Sequence, residues 1–320
     1  MIAAIAIGRN EGERLVHCLD SLRGQAARII YVDSGSTDGS VEMARARGVE
    51  VVELDMTKPF TAARARNAGL DQLRQGAVPD FVQLVDGDCE VRPDWIGKAA
   101  QFLEENPKVA IVCGRRRERF PEASVYNAHC DREWDTPIGE AKACGGDALM
   151  RMTALDEVGG YDPRLIAGEE PEMCVRLRQK GWKIWRLDAE MTLHDAAMTR
   201  FGQFWKRSRR AGHAYAEGAW MHGAPPESHY VPQTKRAVLW GVALPLAILV
   251  LALIVSPWCL LLLAIYPVQI ARLARRGGGS KAAWEEATLL TLSKFAEAMG
   301  GVEFHLRRLT GKRGKLIEYK

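Results

Sequence analysis

The first third of the chain alternates between two kinds of segment. IAAIAI (2–7), RIIYVD (28–33), VEVVEL (49–54), FVQLVD (81–86) and VAIVCG (109–114) are short apolar runs of strand type. Between them, EGERLVHCLDSLRG, DGSVEMARARG, FTAARARNAGLDQLRQG and PDWIGKAAQFLEEN carry helical spacing, and three of the four end at glycine. This alternation predicts an α/β fold, a mostly parallel sheet flanked by helices. Ligands of such folds bind beyond the carboxyl ends of the strands. Gly8, Arg9, Asp33 and Asp86 fall at such ends.

Residues 115–235 are less regular. A helix is predicted over 169–181, a strand over 182–187 and a basic helix over 200–218. The pattern then changes abruptly, because Ala237 to Ala271 carries no charge. As one helix this run would be roughly 50 Å long, against a hydrocarbon core of about 30 Å. Ser256-Pro257 is a natural break, and both outer flanks are basic: Lys235 and Arg236 before, Arg272, Arg275 and Arg276 after. A membrane helical hairpin with both ends in the cytoplasm satisfies the excess of positive charge on that side. A buried soluble helix pair is the alternative. Beyond RRGGGSK, Trp284, Ala287, Leu290, Leu292 and Phe295 mark a partly amphipathic helix with a basic tail, suited to a membrane surface or to a helix bundle. The expected organisation is a domain over 1–220 with halves 1–114 and 115–220, a linker over 221–235, a hairpin over 236–272 and an amphipathic basic region over 281–320.

Composition narrows the partners. The net charge of +4 is mild, and nucleic acid is not expected as a partner. Seven cysteines form no C-x-x-C pair, which points to a reducing cytoplasm. The opening MIAAIAIGRNEGE lacks a basic leader and reads as the first strand rather than a signal peptide.

The chemistry concentrates in a few short motifs. In LVDGDCEV, Asp86 and Asp88 flank Gly87 with no basic residue beside them in sequence. Two carboxylates this close are tolerable if solvated, if one is protonated, or if a cation sits between them. In VDSGSTDGS, Asp33 ends a strand and is placed to bond a base or ribose, while Asp38 suits a helix cap. The same composition also serves ordinary loops. In ARARNAGL, Arg66 is suited to pair with a diphosphate if it faces the sheet edge; otherwise it is a solvated arginine. In AGEEPEMCVRL, Glu169, Glu170 and Glu172 surround a helix start, where acids favour the dipole and where a general base can also sit. His194 follows a strand, a place where a histidine is usually structural.

Taken together, VDSGSTDGS, ARNAG, LVDGDCEV, GGDALMR, VGGYDPRL and GEEPEMCVRL resemble the family 2 glycosyltransferases with their GT-A fold, over about residues 1–220. The resemblance implies donor binding by Gly8, Arg9, Glu11, Asp33, Arg66, Asp86 and Gly87. It implies acceptor contacts from Gly146, Asp147 and Glu169, and a Mg²⁺ or Mn²⁺ ion held by Asp86, Asp88 and His194. Glu170 matches the position of the catalytic base, and Asp88 is implied to assist at the leaving group. The usual Glu-Asp motif reads Glu-Glu here, and the usual Thr-Tyr-Asn opening reads Gly8-Arg9-Asn10, without a base-stacking tyrosine. The implied activity is inverting transfer from a nucleotide-diphosphate sugar. With the hairpin, the expected acceptor is a polyprenyl-diphosphate-linked saccharide at the inner membrane's cytoplasmic face, as in exopolysaccharide or surface-glycan synthesis, with membrane lipids as further partners. The alternatives are transfer to polyprenyl phosphate and a non-catalytic nucleotide-sugar-binding protein. A D-x-D phosphatase is disfavoured by Glu90 and by the motif's position.

Overall fold

A computed structural model of the protein describes residues 1–311. They form two compact units: Met1–Pro121 with Cys130–Ala197, and Glu122–His129 with the chain from Met198 onward.

The first unit is built on one nine-stranded sheet. Its strands are β1 (Ile2–Gly8), β2 (Arg28–Asp33), β3 (Glu50–Glu53), β4 (Phe81–Asp86), β5 (Cys89–Val91), β6 (Val109–Glu118), β7 (Gly139–Ala141), β8 (Ala148–Arg151) and β9 (Lys183–His194). They lie in the order β3-β2-β1-β4-β8-β6-β9-β5, with β7 paired to β9. The flanking helices are α1 (Glu13–Leu22), α2 (Ser40–Ala46), α3 (Ala62–Arg74), α4 (Trp95–Glu105), α6 (Met152–Val158) and α7 (Glu169–Gln179), while α5 (Val125–Glu133) begins in the second unit and ends in the first. The predicted strand–helix alternation is the scaffold of β1 to β4, which are parallel to one another. Strand β8 runs antiparallel between β4 and β6, so the sheet as a whole is mixed.

Register decides where the chemistry meets. Gly8 pairs with Asp33 and Ile7 with Asp86, so the ends of β1, β2 and β4 are level. Leu84 pairs with Ala148, which brings Asp147 beside Asp86. Cys89 pairs with His194, which brings Asp88 to the end of β9. Strands β6 and β9 outrun their predicted lengths because their polar halves pair with each other through several irregularities in register, as far as Glu118 opposite His194. The core beneath is dry: Ala3, Ala4, Ile5 and Ala6 of β1 are fully buried against Leu15, Leu19, Leu70 and Leu84.

The second unit holds α8 (Phe201–His222), α9 (Val231–Val238), α10 (Leu244–Ile254), α11 (Ile265–Arg276) and α12 (Lys281–Thr310). A π-helical turn joins α9 to α10, and a 3-10 segment, Pro257–Ala264, precedes α11. The result is two apolar arms, Val231–Ile254 and Pro257–Arg276, long and apolar enough to span a membrane. They meet at Ser256, whose hydroxyl accepts from the Trp258 backbone N–H at 3.3 Å. The Tyr266 hydroxyl donates to the Trp240 carbonyl at 2.6 Å and fastens one arm to the other. Their surfaces are not covered by the protein: Leu253 is 77% exposed and Trp258 78%. An uncovered apolar surface of this extent fits lipid better than water. Lys312, Arg313 and Lys315 of the basic tail lie outside the described residues.

Helices α8 and α12 cross at two glycines. A methyl group on Gly212 would lie 1.9 Å from the Glu297 carbonyl oxygen, and one on Gly300 would lie 1.9 Å from that of Arg209. Replacing a helical glycine with alanine gains up to about 1 kcal/mol of propensity. Here the helices would have to separate, and overpacking of this kind costs about 1–3 kcal/mol or more. Gly300→Ala is therefore expected to lower the melting temperature of the detergent-solubilised protein. A variant that melts at or above the parent would show that the crossing is not tight.

Candidate active site

At the carboxyl ends of the strands, five carboxyl groups gather, and four of them share two guanidiniums. Asp86 ends β4, Asp88 follows it, Asp147 precedes β8, and Glu169 and Glu170 open α7. Arg66, from the middle of α3, is almost fully buried. One of its Nη atoms lies 3.0 Å from Glu169 and 2.7 Å from Glu170, and the other 2.9 Å from Asp86. Arg116, from β6, reaches Asp86 at 3.0 Å and Asp147 at 2.9 Å. The two acids of the D-x-D motif lack basic neighbours in sequence, yet the fold brings both arginines to Asp86.

Gly146 is needed for this packing. A methyl group there would come 2.6 Å from Arg66 and 2.9 Å from Asp86. Both oxygens of Asp147 are engaged: one accepts from the Asp86 backbone N–H, the other from Arg116 and from the Thr192 hydroxyl. Tyr161 lies under Arg66, its ring centre 5.6 Å from the guanidinium carbon.

Shared cations leave the acids unequal. Burial pushes the Asp86 carboxyl up, but Arg66 and Arg116 outweigh it and hold the group well below the usual carboxylate range. Glu170 has only its share of Arg66. Burial pushes its carboxyl up to about 7; Arg66 opposes this, and Glu169 and Asp86 reinforce it. A carboxylate that titrates near neutrality is matched to proton transfer at neutral pH.

Asp88 and His194 form a second pair, Oδ2 to Nε2 at 3.4 Å. Burial, with Arg116 nearby, pushes the imidazole below its ordinary value, so it is neutral and able to ligate. Its Nδ1 is buried without a hydrogen-bond partner, 3.8 Å from Glu118. Cys89 lies within reach of the same point, but burial raises its thiol well above the ordinary value and it stays protonated. One carboxylate oxygen and one imidazole nitrogen, with coordination left over for phosphate and water, fit a divalent ion of the Mn²⁺ or Mg²⁺ type; the nitrogen favours Mn²⁺. Asp86 can also group with Cys89 and Asp147, but arginine already holds those two acids.

The remaining expected donor residues lie along the same edge. The Asp33 carboxylate is buried and accepts from the Tyr31 hydroxyl and the backbone N–H groups of Gly35 and Ser36, so it shapes its own turn. Asp38 bonds the Ser40 backbone and the Gly12 N–H, tying the starts of two helices together. Glu11 pairs with Arg14 at 2.8 Å, and its side chain covers Gly8 and Gly87. The Gly87 N–H donates to the Ile7 carbonyl at 2.8 Å, and Arg9 is exposed at the rim.

Two residues escaped the sequence reading. Arg116 is hidden in the run Arg115-Arg116-Arg117, which looks like a solvated charge cluster; strand alternation was the available signal. Trp134 stands edge-on to the His194 ring at 4.7 Å and faces the Arg116 guanidinium at 5.2 Å. It lies just past α5, and nothing in its local sequence marks it.

Comparison with known proteins bears on the fold. Residues 5–158 match the model of glycosyl transferase family 2. The chain is 25% identical over 213 residues to the succinoglycan biosynthesis protein ExoA of Rhizobium meliloti, covering 62% of this chain and 64% of that one. It is 23% identical over 280 residues to the glycosyltransferase AglE of Haloferax volcanii, covering 78% and 89%. The mannosyltransferase PcManGT of Pyrobaculum calidifontis, solved in complex with GDP-Man and Mn²⁺, superposes with a TM-score of 0.65 at 20% identity, covering 94% of this chain and 86% of that chain. The protein thus has a family 2-like, GT-A-type glycosyltransferase fold with a candidate metal cluster and two C-terminal apolar helices.

The engaged oxygens of Asp147 generate a direct expectation. Asp147→Asn keeps the shape but leaves Arg116 buried with Asp86 as its main counter-charge. Breaking a buried pair costs about 3 kcal/mol or more. Urea denaturation is expected to register a loss of that order; a variant as stable as the parent would separate Asp147 from the support of Arg116.

Proposed function

We propose that the protein is an inverting glycosyltransferase that moves a sugar from a nucleotide-diphosphate donor to a lipid-linked saccharide. The observation that carries this reading is Glu170, a carboxyl raised to about 7, joined through Arg66 to Asp86 at the strand ends. That bridge puts a proton acceptor at the rim of a site suited to a diphosphate.

The nucleoside is assigned to Gly8, Arg9, Glu11 and Asp33, and the diphosphate to Asp86, Gly87 and Arg66. Gly146, Asp147 and Glu169 are assigned to the acceptor side. Glu170 takes the proton from an acceptor hydroxyl. That oxygen bonds to the anomeric carbon as the bond from this carbon to the diphosphate oxygen breaks, and the nucleoside diphosphate leaves with its electron pair. Asp88 and His194 would hold the divalent cation, which, when bound, supplies charge stabilisation at the leaving diphosphate. Arg66 and Arg116 keep the acids beside it fixed before the donor arrives.

The uncovered apolar arms with basic ends support an acceptor carried on a lipid and a catalytic unit on the cytoplasmic side of the membrane. The likeness to a mannosyltransferase solved with GDP-Man and Mn²⁺ supports the donor class and leaves this chain's own sugar open.

Glu170→Gln is expected to keep donor binding and lose transfer by at least ~10²-fold. The base must be ionised, so kcat/KM is expected to fall about tenfold per pH unit below 7 and to level off above. A profile flat between about pH 5.5 and 8, or near-normal turnover by the variant, would remove Glu170 from its role. EDTA is expected to abolish transfer and Mn²⁺ to restore it; full activity after exhaustive chelation would dismiss the metal. In sealed vesicles, trypsin is expected to cut at Lys235–Arg236 and at Arg272–Arg276 only when the cytoplasmic face is outward. Cleavage of one flank from each side would refute the hairpin's topology.

A further inference from the structure

Strand β6 carries arginines to both faces of the sheet. Arg116 serves the acid cluster, while its neighbours Arg115 and Arg117 line a separate cavity of about 460 Å³ together with Arg186 of β9 and the rim acids Asp135, Asp188 and Glu190. At the rim, Arg117 and Glu190 satisfy each other with a close fork-to-fork pair. At the floor the balance is incomplete. Arg115 is 5% exposed and Arg186 3%. Each turns one Nη back onto the carbonyl of the next residue. The Nε–H of each is buried with no hydrogen-bond acceptor.

What faces these donors is Asp135, a residue with its side chain 63% exposed. Its carboxylate lies 3.4 Å from Arg115 Nε and 3.7 Å from an Nη of Arg186, near enough to attract but bonded to neither. Asp131, at 2.8 Å, holds the other edge of Arg115. A buried donor left without an acceptor is costly, more so when it is charged. A guanidinium presents Nε–H and Nη–H as a fork that fits two oxygens of a tetrahedral oxyanion. The cavity exceeds a bare phosphate and lies in the range of small-molecule sites.

We propose that this cavity binds the phosphate group of a phosphate ester between Arg115 and Arg186, with Asp135 as a tethered stand-in that the ligand displaces. The occupant shares one chemistry whether it is a soluble sugar phosphate or the headgroup of a prenyl phosphate. The site is outside the proposed donor cluster. Its occupancy bears on that cluster through the chain itself, since Asp135 follows Trp134, whose ring contacts Arg116 and His194.

The test is calorimetric titration of the full-length protein in EDTA, where diphosphate binding that depends on a divalent ion is silent. Failure here therefore leaves the glycosyltransferase reading untouched. Inorganic phosphate and farnesyl phosphate are the two probes; the tighter one identifies the source as soluble or lipid. Asp135→Asn removes the internal competitor and is expected to tighten binding several-fold. Arg186→Gln is expected to weaken it at least tenfold. Arg186→Lys keeps the charge without the fork and is expected to weaken it by a smaller factor. Should Arg186→Gln fail to fold, Asp135→Asn, an exposed position, still decides. Equal affinity in the parent and Asp135→Asn, or retention of binding in a folded Arg186→Gln, would overturn the site.

Discussion

The site depends on a shortage of positive charge. Asp86, Asp88, Asp147, Glu169 and Glu170 crowd the strand ends, and Arg66 and Arg116 are the guanidiniums ion-paired with four of them. Asp86 takes two arginine contacts and stays ionised. Glu170 is left with a fraction of one and is driven toward neutrality. Two acids in one cluster are thereby set apart in their readiness to take a proton. Asp88 stands beside His194 at 3.4 Å, on the side of the cluster that these arginines do not pair with in the contacts above.

Sheet register, rather than loop chemistry, makes the crowding possible. Each acid or arginine of the cluster lies on or directly beside a strand or helix. Three pairings, β1 with β4, β4 with β8 and β5 with β9, converge within a few residues of their ends. A repulsive cluster is affordable there because the backbone beneath is pinned by a fully buried core. Groups held this rigidly do not have to reorganise when charge develops.

The parallel half of the fold was legible because its strands are long and its helices periodic. Asp33, Arg66, Asp86 and Glu170 could be placed from such segments. The short strands β5, β7 and β8 were not, since three or four residues carry no periodicity that separates strand from loop. The break at Ser256-Pro257 was readable from proline chemistry, as was the change to lipid-facing composition after Ala237. Arg116 and Trp134 were invisible for a different reason. Their partners, Asp147 and His194, are distant in sequence, and the pairings of β8 and β9 with β6 bring those partners to the same edge. The hydrogen bonds by which Asp33 holds its own turn, from the Tyr31 hydroxyl and the Gly35 and Ser36 N–H groups, were not legible in the sequence, because D-S-G-S is also ordinary loop composition.

Consecutive side chains on β6 serve opposite faces, so this strand has no tolerance for a frameshift of its pleat. Losing one residue anywhere between Val109 and Arg115 would hand the acid cluster a neighbour of Arg116 and turn Arg116 itself outward. Point substitutions in the triplet should thus be separable in their effects, whereas a deletion would strike both faces at once. In the course of divergence, this segment should accept changes of residue far more readily than changes of length.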